Sequence, residues 1–393
     1  MIIEPRVRGF ICTTAHPTGL ARLVEVQAEH ARREVRLDGA PRAALVVGSS
    51  MGYGLSSRIA AAFGAGAATL GVLYEREATE RRTATAGWYN TAAFHRLAHE
   101  QGLWAQSING DAFSEEVKRQ AIDAIVRDLG QVDLFVYSLA SPRRTLPDGR
   151  VAKSALKPIG GSYRNKTIDV GSGEVSTVAI EPAAPEEIAE TVEVMGGGDW
   201  QLWIEALEAA GALAPDAHCL AYSYIGPELT FPIYRNGTIG RAKDDLEATA
   251  RRIDERRREG GGRTLVSVNK AVVTQSSSAI PVVPLYISLL FRVMKDAGLH
   301  EGCIGQATRL LRDRLYAGAE VPVDPEGRIR LDDWEMRPDV QEEVARRWER
   351  VDTGTVAELA DLAGYREDFL ALFGFGVDGV DYEADVDPVV PLG

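Results

Sequence analysis

Largely apolar runs of five to ten residues occur at 43–47, 67–74, 103–108, 132–139, 218–224 and 264–273. Runs of this kind are the pattern of strands buried on both faces of a parallel sheet. Between most of them, apolar positions recur at helical spacing, over 55–63, 91–100, 114–129 and 200–210. An earlier helical pattern covers 19–35, carried by Leu20, Leu23, Val24, Val26 and Ala31, and Pro41 separates it from the first run. Strand alternating with helix predicts an α/β protein, a Rossmann-type doubly wound parallel sheet with helices on both faces.

Residues 143–198 break this alternation. Gly, Pro and β-branched residues gather there, notably at 167–170 and 176–180, which predicts an antiparallel β-hairpin insertion. Residues 301–393 read as a helical, acidic C-terminal extension with an extended tail. No repeat or long linker interrupts the pattern, so residues 1–393 are expected to form a single enlarged Rossmann-type domain, with 1–40 as an N-terminal hairpin and helix. The most apolar stretch, 279–291, is too short to span a bilayer and contains Pro281 and Pro284; it reads as a buried wall or lid.

Composition narrows the function. Hydrophobic residues at 45% and charged residues at 26% exclude a disordered, collagenous or disulfide-scaffold chain. The net charge of −13 argues against a general nucleic-acid partner, which needs a basic footprint, but leaves room for small anions bound by local fields. The charge is uneven. Residues 331–390 hold 17 acids and 5 bases, whereas 141–170 hold 7 bases and 2 acids, and 231–270 hold 10 bases and 6 acids. Cys12, Cys219 and Cys303 form no CxxC pair, and the N-terminal stretch has no apolar signal core, so a cytoplasmic location without membrane attachment is expected. His95 and His99 lie one helical turn apart with no third ligand in view, so no metal site is expected. Arg256, Arg257 and Arg258 read as the end of a solvated helix more readily than as a contact for an acidic partner.

Two constellations carry chemistry. The first is Gly48-Ser49-Ser50-Met51-Gly52-Tyr53-Gly54, placed between a predicted strand and a predicted helix. Glycine there permits a tight turn and close backbone approach to a pyrophosphate, and the helix start offers free N–H groups and a positive dipole end. Glu75 ends the second strand, where a carboxylate binds the adenosine ribose hydroxyls and disfavours a 2′-phosphate; the adjacent Arg76 would favour one. Asp111-Ala112 and Leu139-Ala140 follow the third and fourth strands, where ligands of such sheets bind. The same turn also matches G-x-S-x-G, so an α/β-hydrolase with Ser50 as nucleophile is an alternative. A non-catalytic NADH-binding redox sensor is another.

The second constellation contains Tyr224, Tyr234 and Lys243, where the chain leaves a late strand, crosses a Gly/Pro loop and enters a helix. A lysine ammonium beside a phenol favours its anion and eases proton transfer, and can also bond a ribose.

These residues resemble the FabV-type trans-2-enoyl-CoA / enoyl-acyl-carrier-protein reductases, enlarged members of the short-chain dehydrogenase/reductase superfamily. The likeness runs end to end and rests on Gly48-Ser49-Ser50-x-Gly52-Tyr53-Gly54-Leu55, Thr85-Ala86-Gly87-Trp88-Tyr89-Asn90, the Tyr-x8-Lys spacing of Tyr234 and Lys243, and Val272-Val273-Thr274-Gln275. Ordinary members of the superfamily space the pair Tyr-x3-Lys, and smaller enoyl reductases Tyr-x6-Lys. The resemblance implies NADH-dependent reduction of the trans-2 double bond of an enoyl-CoA or enoyl-acyl-carrier-protein in fatty acid biosynthesis. It implies Tyr234 as catalytic proton donor, Tyr224 at the thioester carbonyl, and Lys243 as a catalytic residue that binds NAD and positions cofactor and phenol. It also implies cofactor contacts at Gly48, Ser49, Ser50, Met51, Gly52, Tyr53, Tyr74, Glu75, Asp111, Ala112, Leu139, Ala140, Val272, Val273 and Thr274. Family members often carry Phe at the position of Tyr74. A monomer or weak dimer is implied, and 276–291 reads as a wall for the acyl chain or as plain core.

Overall fold

The main sheet is built from β1 (Ala43–Val47), β2 (Ala68–Leu73), β3 (Ala105–Asn109), β4 (Val132–Tyr137), β5 (Leu213–Ser223), β6 (Arg263–Val268) and β7 (Ile329–Arg330). All are parallel, in the order β7-β6-β5-β4-β1-β2-β3. The computed structural model describes residues 1–37, 39–318 and 320–393. The period of two along each strand sorts its side chains between two cores. Leu45 and Val47 pack with Trp203, Leu207 and Leu246 on one face, while Ala44 and Val46 pack with Ala60, Ala61 and Leu310 on the other. Chain order reverses at β1, which lies between β2 and β4. The crevice beyond the carboxyl ends of β1 and β4 is therefore the expected ligand position of an open α/β sheet.

The predicted doubly wound sheet is present, with three differences. β6 stops at Val268, short of the predicted 273: the Asn269 N–H makes the last bond to Ser223 of β5, and its side-chain Oδ1 turns back to accept from Ser267. The insertion holds two hairpins, Arg143–Thr145 with Val151–Lys153 and Tyr163–Ile168 with Val175–Ile180, followed by the helix Pro185–Met195. The region read as helical with an extended tail, 301–393, also supplies β7.

A further apolar body sits at the carboxyl edge of the sheet. Its centre is the helix Val283–Asp296, on which Leu285, Tyr286, Ile287, Leu289, Leu290 and Phe291 are fully buried. Helices Pro338–Arg350 and Leu362–Ala371 pack on it through Val340, Val344, Trp348, Tyr365 and Phe369. Residues 282–291 are thus core, and of the stretch 276–291 only 276–281 is partly or fully exposed. The insertion reaches the same region: Lys157 and Thr238 exchange hydrogen bonds of 3.2 and 3.0 Å, fastening it to the start of the helix Thr238–Arg257. Among the described residues no helix is long and apolar enough to cross a membrane.

Candidate functional site

The turn after β1 is shaped by contacts that only glycine permits. Gly48 has φ +84°, and a Cβ there would run into the Ser138 carbonyl beyond β4. A Cβ on Gly54 would collide with the Gly48 carbonyl, so turn and helix lie against each other. The N–H groups of Gly48 and Ser49 both donate to Val72 of β2, and the Ser49 hydroxyl joins them at 3.2 Å. The helix Gly52–Ile59 begins after Met51, which supplies no side-chain cap, so its first N–H groups are left for an anion.

Glu75 follows β2, and its Oε1 accepts from the Ser50 hydroxyl at 2.7 Å. Asn109 at the end of β3 fixes the Glu75 backbone through two bonds of 2.8 and 2.9 Å. Tyr74 is 79% exposed, a ring free to cover a flat ligand. Asp111 is exposed beyond β3, Ala112 is buried behind it, and Leu139 and Ala140 follow β4 beside Gly48. Val272 and Val273 are buried after β6, and Thr274 reaches back to 4.0 Å from the Cβ position of Gly52. These predicted positions therefore ring one edge of the sheet. Tyr53 belongs to the ring by its backbone only, because its phenol donates to the Lys270 carbonyl at 2.6 Å and stacks beside Tyr222.

The Ser50–Glu75 bond removes the hydrolase alternative. A nucleophilic serine needs an imidazole base, and among the described residues no histidine bonds Ser50. His95 instead engages Leu392 at 2.7 Å and Ser107 at 2.9 Å. The arginine cluster ends a solvated helix, as expected: exposed Arg256 and buried Arg257 pair with Glu208, and exposed Arg258 with Asp254.

Tyr224 continues from β5, and Tyr234 sits on the turn that follows. Their rings meet edge to face at 4.9 Å and 81°. Gly226, with φ +71°, makes room: a Cβ there would lie 2.7 Å from the Tyr224 phenol oxygen. Tyr234 is 8% exposed, and its hydroxyl bonds no described residue. Burial, then Glu335 and Tyr365, push its pKa up, so the phenol keeps its proton. This corrects the expectation that lysine would favour its anion. The Lys243 ammonium donates instead to the Tyr222 carbonyl at 3.0 Å, and burial lowers its pKa to about 8.

A family profile described as "Trans-2-enoyl-CoA reductase catalytic region" matches residues 82–316, and one described as "NAD(P)H binding domain of trans-2-enoyl-CoA reductase" matches 2–80. The chain belongs to the trans-2-enoyl-CoA reductase family. An enoyl-[acyl-carrier-protein] reductase [NADH] of Coxiella burnetii is 58% identical over 390 residues, covering 98% of this reductase and 96% of that protein. The crystal structure of Treponema denticola trans-2-enoyl-CoA reductase in complex with NAD superposes with a TM-score of 0.95 at 50% identity, covering 98% of each chain. The Clostridium acetobutulicum trans-2-enoyl-CoA reductase in complex with NADH gives 0.97 at 43%, covering all of both chains.

A third profile, "Enoyl reductase FAD binding domain", matches residues 323–386 of this reductase. Those residues offer a flavin no cradle. Val340, Val344, Trp348, Tyr365 and Phe369 are consumed in packing on the Val283–Asp296 helix, and no strand–glycine-turn–helix unit occurs among them. What the segment does bring is Glu335, which sequence reasoning missed. It is fully buried, and its carboxylate accepts from Tyr224 at 3.1 Å, Tyr286 at 2.6 Å and the Ala271 N–H at 2.7 Å. A lone glutamate in an acidic segment carries no pattern that would single it out.

Proposed function

We propose that this reductase saturates the trans-2 double bond of enoyl thioesters with NADH, a step of fatty acid biosynthesis. The observation that carries the reading is the Tyr224–Tyr234 pair at the carboxyl ends of the strands that also present the Gly48 turn. NADH supplies the hydride when bound. The turn from Gly48 to Met51 and the free helix start hold its pyrophosphate, Glu75 the adenosine ribose, and Lys243 the nicotinamide ribose. The side chain of Tyr74, the loops at Asp111–Ala112 and Leu139–Ala140, and residues 272–274 enclose the remainder.

Reduction at the β-carbon moves negative charge onto the thioester oxygen. Hydrogen-bond donors already aimed at that oxygen stabilise the enolate without reorganising. Tyr234, held protonated by its surroundings and bonded to no described residue, is such a donor and the proton source for the α-carbon, and Tyr224 is the second once its proton turns from Glu335 to the thioester. Enoyl-CoA and enoyl-acyl-carrier-protein share the reacting thioester, so both are substrates of this chemistry.

The test follows reduced-nicotinamide absorbance with crotonyl-CoA. Oxidation of NADH only when thioester is present supports the reading; NADH binding without turnover supports the sensor instead. Tyr234→Phe should lower kcat by about 100-fold or more while the NADH Kd stays within roughly twofold, the split expected when one transition-state donor is lost.

A further inference from the structure

Glu335 connects a sealed interior to the reacting site. It is 0% exposed, whereas Tyr224 is half-buried and faces the ring of Tyr234. Its three partners constrain where a proton can sit. The Ala271 N–H donates to Oε2, so Oε2 is occupied as an acceptor. Tyr286 donates to Glu335 Oε1 at 2.6 Å and accepts the Gln341 amide at 3.2 Å. The longest of the three bonds, and the one whose partner faces Tyr234, is that between Oε1 and Tyr224 at 3.1 Å, and it is the bond that can reverse when Oε1 carries a proton.

The direction of that bond decides what Tyr224 can do. With Glu335 as carboxylate, Tyr224 donates inward and turns only lone pairs to a substrate. With Glu335 as carboxylic acid, Oε1 donates to the phenol oxygen and the Tyr224 proton is released toward the thioester. We propose that Glu335 is a positioning residue that acts through Tyr224, its acid form turning the phenol into a donor for the thioester oxygen. This rests on the reductase reading above.

The groups facing Glu335 come from several elements. Lys270 follows β6 with its ammonium bonded to the Ala271 carbonyl, Asp332 lies on the same segment, and the phenols of Tyr53, Tyr224, Tyr234 and Tyr286 surround the rest. Burial raises the Glu335 pKa, while Tyr286, the Ala271 N–H and Lys270 oppose that rise. The acid form is favoured as pH falls, so donor strength is lost as pH rises through the Glu335 pKa.

The experiment measures kcat for crotonyl-CoA against pH at saturating NADH, which removes effects of cofactor affinity. Wild type should show a limb that falls with rising pH. Glu335→Gln keeps an acceptor for Ala271 and offers N–H donors to the phenols, so it should retain kcat within about threefold at low pH and lose the limb. Tyr224→Phe should lower kcat by about 100-fold and also lose the limb, and Glu335→Gln in that background should change kcat less than twofold. A Glu335→Gln variant that keeps the limb, a wild type without one, or an equal effect of Glu335→Gln at the high-pH end with and without the Tyr224 hydroxyl overturns the proposal. NADH Kd by fluorescence, unchanged across the set, verifies the fold. Absence of any wild-type turnover would instead remove the reductase reading itself.

Discussion

Lys243 is charged only so long as its pocket allows. Burial depresses its pKa to about 8, with Glu247 pulling weakly upward, and the ammonium has one protein partner, the Tyr222 carbonyl. A lowered lysine pKa means the cation is full at neutral pH and is lost as pH rises past that value. At one unit above, about a tenth of the charge remains, so affinity that depends on it falls by up to about tenfold. The NADH Kd, measured by fluorescence between pH 7 and 9.5, should rise accordingly. Lys243→Met should bind weakly throughout and show no such rise. The Tyr-x8-Lys spacing was legible in the sequence because both residues fall on a loop and helix next to a strand. What the spacing did not convey was that the ammonium bonds a carbonyl while the phenol is kept neutral by burial. The second depends on burial and on Glu335 and Tyr365, about 100 residues away or more in the chain.

At the scale of elements, the turn after β1 shows two separable demands on one glycine. Gly48 and Gly149 share φ +84°, but a Cβ at Gly149 meets nothing within 4 Å, whereas at Gly48 it strikes the Ser138 carbonyl. Gly149→Ala should therefore cost only left-handed strain, about 1–2 kcal/mol. Gly48→Ala should cost more and weaken NADH binding at least about tenfold, because β1 and β4 must part where the pyrophosphate belongs. Urea melts and NADH titrations of the two variants separate strain from collision. The longer strands β1, β2, β4 and β6 were legible as runs buried along nearly their whole length, β5 only from His218 onward, and β3, an edge strand with Gln106 and Asn109 exposed, from its place in the strand–helix alternation. β7 was not, since two residues, Ile329 and Arg330, make no periodic pattern and their pairing with Ser267 and Val268 is set by tertiary packing. The same holds for the first hairpin of the insertion, where only Arg144 and Ala152 are buried among six residues.

Across the whole molecule, the insertion is held to the sheet by a buried charge cluster. Asp199 is 1% exposed and lies 3.1 Å from Lys118 and 3.3 Å from Arg144, and Tyr137 of β4 donates to it at 3.0 Å. Arg144 belongs to the first hairpin and also bonds the Glu193 carbonyl of the next helix. Removing the carboxylate would strand two buried cations, which costs about 3–5 kcal/mol. Asp199→Ala should lower the urea midpoint by that equivalent, and residues 143–153 should lose protection in hydrogen exchange. Glu335 is a second long-range tie, and it has a consequence in time. During synthesis the Gly48 turn, Tyr224, Tyr234 and Lys243 all leave the ribosome before residue 335 does. At about 5–20 residues per second, the nascent chain spends several seconds with its first six strands made and the carboxyl group facing Tyr224 still untranslated. A growing chain thus carries the dinucleotide turn and both tyrosines before the carboxyl group that Tyr224 bonds exists.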